Sequence, residues 1–481
     1  MKNTILTVCL YLFSYTTQAQ SVTGSWQGAI QVRGNQIHIN FHIRKDSSGY
    51  SATMDSPDQK AYGILCNETR LEEDSLKISI ALVKGGYAGK WNGTDQIDGL
   101  LLQGPIRMPL VLTRMKENGA SKDPAMADKP QTPRPPFPYL TEEVGYENKQ
   151  ESVHLAGSFT KPATGNHFPV VLMITGSGPQ DRDESIGKHK PFAVIADYLT
   201  RQGIAVLRVD DRGVGKSTGD FSQATSADFA TDVMAGIDYL KTRTDIDPKK
   251  IGLIGHSEGG IIAPYVAARS KDIAFVVLLA GPVTGGKQTM YYQAVDKPLA
   301  KLPAADRKAY GDLYTKMFAI ALDSQIAKQV PEFVKQTYLD WKKTQPDSIL
   351  AHLIHGTDEQ AISQFSNGFG IFTRPWWRFF LSYDPAKNFA SLQIPVLAFY
   401  GEKDEQVDPV ANTALINQLK KKMKQGRITV VEIPGVNHLF QHCKNCGSVQ
   451  EYLDLDETFD TGTLSVMGQW IKDLLRNQPG Y

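Results

Sequence analysis

The sequence predicts a mostly parallel α/β sheet with helices on both faces, interrupted by a helical lid and preceded by a small all-β domain. Three observations predict it. From about residue 140 onward, the β-branched apolar runs "FPVVLMITG", "GIAVLRVDD", "KIGLIG", "FVVLLAG", "IPVLAFYG" and "RITVVEIPG" alternate with helical stretches, the pattern of strands buried on both faces. Between about Val22 and Arg114, apolar and polar residues alternate in short runs such as "QIHINFHIRK" and "LKISIALV", broken by turn signals. Separating the two is "NGASKDPAMADKPQTPRPPFPYL", whose prolines at 124, 130, 133, 135, 136 and 138 build neither helix nor ladder.

The elements follow in order. At 481 residues the chain exceeds a single ordinary core. Residues 1–19 read as a signal peptide: one lysine, an apolar stretch from Ile5 to Phe13, then Thr17-Gln18-Ala19 as a cleavage site before Gln20. The apolar stretch is too short to span a bilayer, and Cys9 after the bulky Val8 argues against a lipid-modified cysteine. A periplasmic or secreted protein without stable membrane insertion is therefore expected. Residues 20–115 form the β-rich domain, 116–138 the linker, and 139–481 the α/β domain with its insertion at about 285–387. The formal net charge of +1 offers nothing to nucleic acid or to an anionic membrane. Runs such as Lys420-Lys421-Lys422 read as a solvated helix face.

Gly24-Ser25-Trp26 opens the β-rich domain, which by its strand pattern resembles a small lipocalin-like barrel or sandwich. His38 and His42 share one face of a strand there, and read as a surface or core pair rather than a metal site. Outside the cytosol, Cys443 and Cys446 are candidates for a small disulfide loop, because zinc would need more ligands than His442 supplies. Cys66 is left as a buried free thiol.

The chemistry centres on Gly255-His256-Ser257-Glu258-Gly259. A Gly-x-Ser-x-Gly turn after a buried strand and before a helix is a nucleophile elbow, with Ser257 at its apex. A serine hydroxyl needs a base and an acid that orients it. In this type of fold they follow in the order acid, then histidine. Asp404 stands after the strand "IPVLAFYG" and His438 after "RITVVEIPG". Glu402 and Asp408 compete for the acid position, and His442 for the base. His256 precedes the serine and should point elsewhere. The predicted oxyanion donors are the backbone N–H groups of Glu258 and Ser177, the latter lying between Gly176 and Gly178 in "TGSGPQDRDE".

With these residues in place, residues 140–481 resemble the α/β-hydrolase superfamily. The nearest look is to bacterial serine esterases with a Gly-Ser-Gly-Pro-Gln-Asp oxyanion segment. "DDRGVGKST", "GHSEGG", "TRPWWRFFLSYDPAKNF" and "GEKDEQV" carry the same resemblance. Thr175 stands where many hydrolases have histidine, which should tune the loop because the donor is a backbone N–H. The resemblance implies a carboxylesterase-like serine hydrolase for esters of short to medium acyl chains, with no metal or organic cofactor and a small-molecule ester as partner. A peptidase or amidase could use the same triad, with Glu258 or Asp181 receiving a free amino group. A ligand-binding barrel with a vestigial site is a third reading, disfavoured by the intact Ser, Asp and His.

Three further signals read as structural or remain open. "DDRGVGKST" lacks the first glycine of a phosphate loop, and Asp210 and Arg212 are expected to pair and brace it. Asp181, Arg182 and Asp183 lie beside the expected oxyanion loop, where they could contact a polar substrate, but a loop-stabilising ion pair is the preferred reading. Trp376, Trp377, Phe379 and Phe380 read equally as lid packing or as an apolar wall for an acyl group, with Trp376, Trp377 and Phe380 as pocket candidates.

Overall fold

The computed structural model describes residues 21–476, apart from 33–34, 47–48, 60, 67, 81–84, 104–105, 116–128, 324, 326–328, 423–427 and 448. The segment expected to be a signal peptide and the first part of the proline-rich stretch lie outside the described residues. The chain divides into two compact units, Met1–Lys122 and Asp123–Tyr481.

The first unit is an antiparallel barrel of nine strands: β1 (Gly24–Val32), β2 (Asn35–Asp46), β3 (Gly49–Ser56), β4 (Ala61–Leu65), β5 (Glu68–Glu72), β6 (Ser75–Ile80), β7 (Gly85–Trp91), β8 (Gln96–Gln103) and β9 (Ile106–Arg114). They are ordered β2-β1-β9-β8-β7-β6-β5-β3-β4, and a β2–β3 ladder closes eight of them into a ring, with β4 and β5 sharing one edge of β3. Alternation sends every second side chain inward. Trp26, Phe41 and Tyr87 fill the centre, joined by Leu76, Ile97 and Leu110. The barrel interior is thus a packed core. On the outer face, His42 bridges three strands, bonding Ser25 Oγ through Nδ1 and Asp55 Oδ2 through Nε2, both at 2.8 Å. His38 takes a separate partner, Asp58, at 2.8 Å. The reading of a structural histidine pair fits this geometry. Cys66 is free, and burial, with Asp55 nearby, pushes its thiol up to about 12.

The second unit carries the strands β10 (Tyr139–Asn148), β11 (Val153–Pro162), β12 (Phe168–Ile174), β13 (Ala205–Val209), β14 (Ile246–His256), β15 (Ile273–Leu279), β16 (Val396–Gly401) and β17 (Ile428–Ile433). Their order is β10-β11-β13-β12-β14-β15-β16-β17, antiparallel across the first two ladders and parallel across the rest. The β10–β11 hairpin has no counterpart among the apolar runs, because β10 alternates polar and apolar residues ("YLTEEVGYEN") at the sheet edge.

The helices are α1 (Pro191–Arg201), α2 (Ser226–Thr242), α3 (Gly259–Ala267), α4 (Gly286–Tyr291), α5 (Ala304–Leu322), α6 (Val330–Lys343), α7 (Asp347–Leu353), α8 (Asp358–Gly370), α9 (Pro375–Ser382), α10 (Pro385–Ser391), α11 (Pro409–Lys422), α12 (Val449–Asp454) and α13 (Thr461–Arg476). One sheet face packs on α2, α3, α10 and α11 through residues such as Ile237, Val266, Phe389 and Ile416. The other packs on α1 and α13 through Phe192, Leu199, Met467 and Ile471. Helices α4 to α10 form the insertion between β15 and β16. Its own core (Leu313, Phe318, Tyr338, Phe369) also takes in Ile261 of α3. The described part of the proline-rich stretch is pinned to this unit: Gln131 accepts from the N–H groups of Thr458 (2.5 Å) and Phe459 (2.9 Å). None of the described helices is long and apolar enough to cross a membrane.

Candidate active site

Strand β14 delivers Ser257 to the carboxyl edge of the sheet, where it takes φ +50°, a left-handed conformation that costs a non-glycine residue about 1–3 kcal/mol. Its N–H donates to Leu279 O at 2.8 Å, tying the turn to β15. The flanking glycines are required by space. A Cβ on Gly255 would stand 2.1 Å from the Gly259 carbonyl oxygen, and one on Gly259 would stand 2.2 Å from that of Ile174.

Asp404 follows β16 and His438 follows β17, and tertiary structure brings them together: His438 Nδ1 lies 2.7 Å from Asp404 Oδ2, both side chains buried. Asp404 Oδ1 accepts from the N–H groups of Gln406 (2.7 Å) and Val407 (2.8 Å), so the carboxylate is locked in place. The competing acids have other tasks. Glu402 accepts from Gly435 N, and Asp408 accepts from Val410 N and Ala411 N at the start of α11. His442 turns away to Glu457 at 2.9 Å. Cys443 and Cys446 are joined in a disulfide just after the loop bearing His438, and Val436 bridges to His442 across that loop. Among the described residues Ser257 Oγ makes no hydrogen bond to His438; its Cβ side faces the backbone of Gly176, where an added Cβ would lie 3.2 Å from Ser257 Cβ.

The loop after β12 therefore lies directly against the elbow. Among the described residues, the backbone N–H groups of Ser177 and Glu258 have no protein acceptor. The Gly176 N–H is occupied, donating to Glu184 Oε1 at 2.6 Å. Asp181 Oδ1 accepts from the N–H groups of Asp183 and Ser185, which folds the loop on itself. Arg182 bonds Asp210 through Nη2 (2.7 Å) and Nε (3.0 Å) and reaches Glu143, while Asp183 pairs with Arg208. The expected Asp210–Arg212 pair is not formed. Arg212 goes instead to Asp232 of α2 at 2.7 Å, while Asp210 is taken by Arg182.

Glu258 is buried and its Oε1 accepts from Ser226 Oγ (2.6 Å) and Trp376 Nε1 (2.7 Å). That bond sets the lid aromatics beside the residue following Ser257. Trp376 stacks on Phe380 at 4.9 Å and meets Trp377 edge-on at 4.6 Å. Burial pushes the Glu258 carboxyl up to about 7 from 4.5. The folded protein then holds a proton that the unfolded chain releases between those values, so this group costs stability as pH rises across the window. Glu258→Gln is expected to be more stable than the parent by about 3 kcal/mol above pH 7, and the gain should vanish below about pH 4.5. Urea midpoints at pH 5 and 8 read this directly, and an equal offset at both would refute it.

Sequence reasoning missed Glu184 as a neighbour of the site; His256 does point elsewhere, toward Glu184 and the His438 carbonyl. Glu184 ends the acidic run from Asp181 and is only 6% exposed, but nothing local distinguishes it from a solvated acid. The one described cluster with metal-ligand spacing is His442, Glu457 and Asp460, and the Asp460 oxygens already accept from the first turn of α13 at Gly462 and Thr463.

The sheet order, the elbow, and an acid and histidine in the loops after successive strands define an α/β-hydrolase fold in the second unit. The family described as serine aminopeptidase, S33 (Hydrolase_4) matches residues 186–340, which hold Ser257 but end before Asp404 and His438. Esterase EstD of Thermotoga maritima is 32% identical over 155 residues, 32% of this chain and 37% of that one. The putative hydrolase YtaP of Bacillus subtilis is 30% identical over 142 residues, 26% of this chain and 48% of that one. The chain thus spans under half the length of these curated relatives. Among solved structures, the Pyrococcus furiosus esterase Pf2001 aligns with TM-score 0.42 at 18% identity, covering 74% of this chain and 99% of that one.

Proposed function

We propose that the second unit is a serine hydrolase that cleaves carboxylic esters of short to medium acyl chain through an acyl-enzyme, and that the protein is exported to the periplasm or beyond. The observation that carries the reading is the buried Asp404–His438 pair set beside a strained serine elbow with free N–H donors. Ser257 Oγ attacks the ester carbonyl carbon as His438 Nε2 takes its proton. Asp404 keeps the other imidazole proton on Nδ1 and stabilises the cation that forms. The N–H groups of Glu258 and Ser177 receive the oxyanion. Collapse expels the alcohol, protonated by His438, and water activated by the same imidazole releases the acid. Trp376, Trp377 and Phe380 supply the apolar wall that favours an acyl group.

The mature chain is expected to turn over p-nitrophenyl acetate and butyrate faster than long-chain esters. Ser257→Ala should lower kcat by on the order of 10⁴-fold or more. Turnover unchanged in that variant would sink the reading. The family description favours a second reading as a peptidase of free amino termini. Aminoacyl p-nitroanilides cleaved faster than the esters would select it. Against it stands the burial of the Glu258 side chain, whose Oε1 already accepts from Ser226 and Trp376.

A further inference from the structure

His256 stands between a carboxyl group and a backbone carbonyl, and both can only accept when Glu184 is ionised. Its Nδ1 lies 2.8 Å from Glu184 Oε1 and its Nε2 lies 3.1 Å from the backbone carbonyl oxygen of His438. A neutral imidazole carries one N–H, so it can satisfy only one of them. The imidazolium satisfies both, and Glu184 Oε1 then accepts from His256 and from the Gly176 N–H together. Glu184 and His256 are 7% and 8% exposed, so neither charge is solvated enough to stand alone.

We propose that Glu184 and His256 form a buried carboxylate–imidazolium pair that holds the oxyanion loop and the loop bearing His438 in register across the nucleophile elbow. The proposal rests on the reading of Ser257 and His438 as catalytic. Its consequence is a continuous path of hydrogen bonds: Gly176 N–H to Glu184, Glu184 to His256, His256 to the His438 backbone. One end of the path is a neighbour of the Ser177 donor, and the other is the residue that moves the proton. The two residues touch no reacting atom; they are positioning residues, and their effect falls on the transition state, whose geometry the two loops must match.

The surrounding charges are consistent with the cation. Burial works against it, but the Glu184 carboxylate, its hydrogen bond and the His438 carbonyl outweigh burial, with Asp404 adding to them, and His256 lies above the ordinary imidazole range. The His438 ring faces it at 4.9 Å between centroids. Behind Glu184, burial holds Asp211 well above the usual carboxylate range against the hydrogen bonds from Thr175 and Gln180. The contribution of His256 to stability is therefore present below the ordinary imidazole range and is lost as pH rises through its raised value.

The test is nitrogen-15 NMR of the histidine-labelled mature chain, with His256 assigned through His256→Asn, alongside steady-state kinetics of Glu184→Gln on p-nitrophenyl acetate. The expected spectrum has both His256 ring nitrogens protonated at pH 7.5. In Glu184→Gln, His256 should become neutral at that pH, and kcat should fall 10- to 100-fold with KM changed less than about threefold. A neutral His256 in the parent overturns the proposal, and this arm stands whether or not the variant folds. An active parent with an equally active Glu184→Gln overturns the positioning role alone. A parent that turns over no ester at any chain length instead removes the functional reading, leaving the NMR result to judge the ion pair.

Discussion

Asp404→Asn is expected to lower kcat on ester substrates by on the order of 10⁴-fold while leaving the fold intact. The reason is tautomeric. Asp404 Oδ1 is committed to the N–H groups of Gln406 and Val407, so the asparagine would keep its oxygen there and turn its amide nitrogen toward His438 Nδ1. A donor facing Nδ1 forces that atom to accept, and the imidazole proton moves to Nε2. The base then points a proton, not a lone pair, toward Ser257. The matching substitution Asp408→Asn should change kcat little, because Asp408 caps α11 and asparagine caps a helix about as well as aspartate. Rates for both variants on p-nitrophenyl acetate, with circular dichroism to verify folding, decide the point. A loss below tenfold in Asp404→Asn would remove Asp404 from the triad.

The second large effect is on stability. Gly255→Ala and Gly259→Ala should each cost on the order of 4 kcal/mol or more, or leave no soluble protein at all. A Cβ at Gly255 meets the backbone of Gly259 and Gly260 at 2.1 to 2.8 Å, and one at Gly259 meets the backbone of Ile174 and Thr175 at 2.2 to 2.8 Å. These neighbours are main chain in a central strand, its turn and the opening of α3, so none can swing aside as a side chain would. Relief would have to come from opening the elbow, which carries Ser257 and the Glu258 N–H with it. Gly368, with open space around its position, provides the contrast: alanine there should be tolerated. Thermal and denaturant midpoints of the three variants test this, and a Gly255→Ala protein within 1 kcal/mol of the parent would show that the elbow can relax.

The two-part architecture was legible because periodicity is local. Strand alternation, buried β-branched runs and a proline-rich break are each set by a few neighbouring residues, and the β-rich and α/β units follow from them. The elbow was legible for the same reason: its glycines and serine fall within five consecutive residues whose spacing is dictated by one turn. The β10–β11 hairpin escaped because an edge strand need not be apolar on both faces.

By itself, then, the sequence determined the class of fold, the turn that carries Ser257, and the short set of acids and histidines that could stand with it. Tertiary structure alone decided among them. It set Asp404 rather than Glu402 or Asp408 against His438, sent Asp210 to Arg182 and Arg212 to Asp232, and tied Trp376 to Glu258. It also placed Glu184 under the loop after β12, against His256. Each of these contacts joins side chains separated by many residues, and whether a carboxylate is a solvated acid, a helix cap or a buried partner depends on what packs around it. Burial and hydrogen-bond geometry make that choice, and both arise only once the strands are assembled into the sheet.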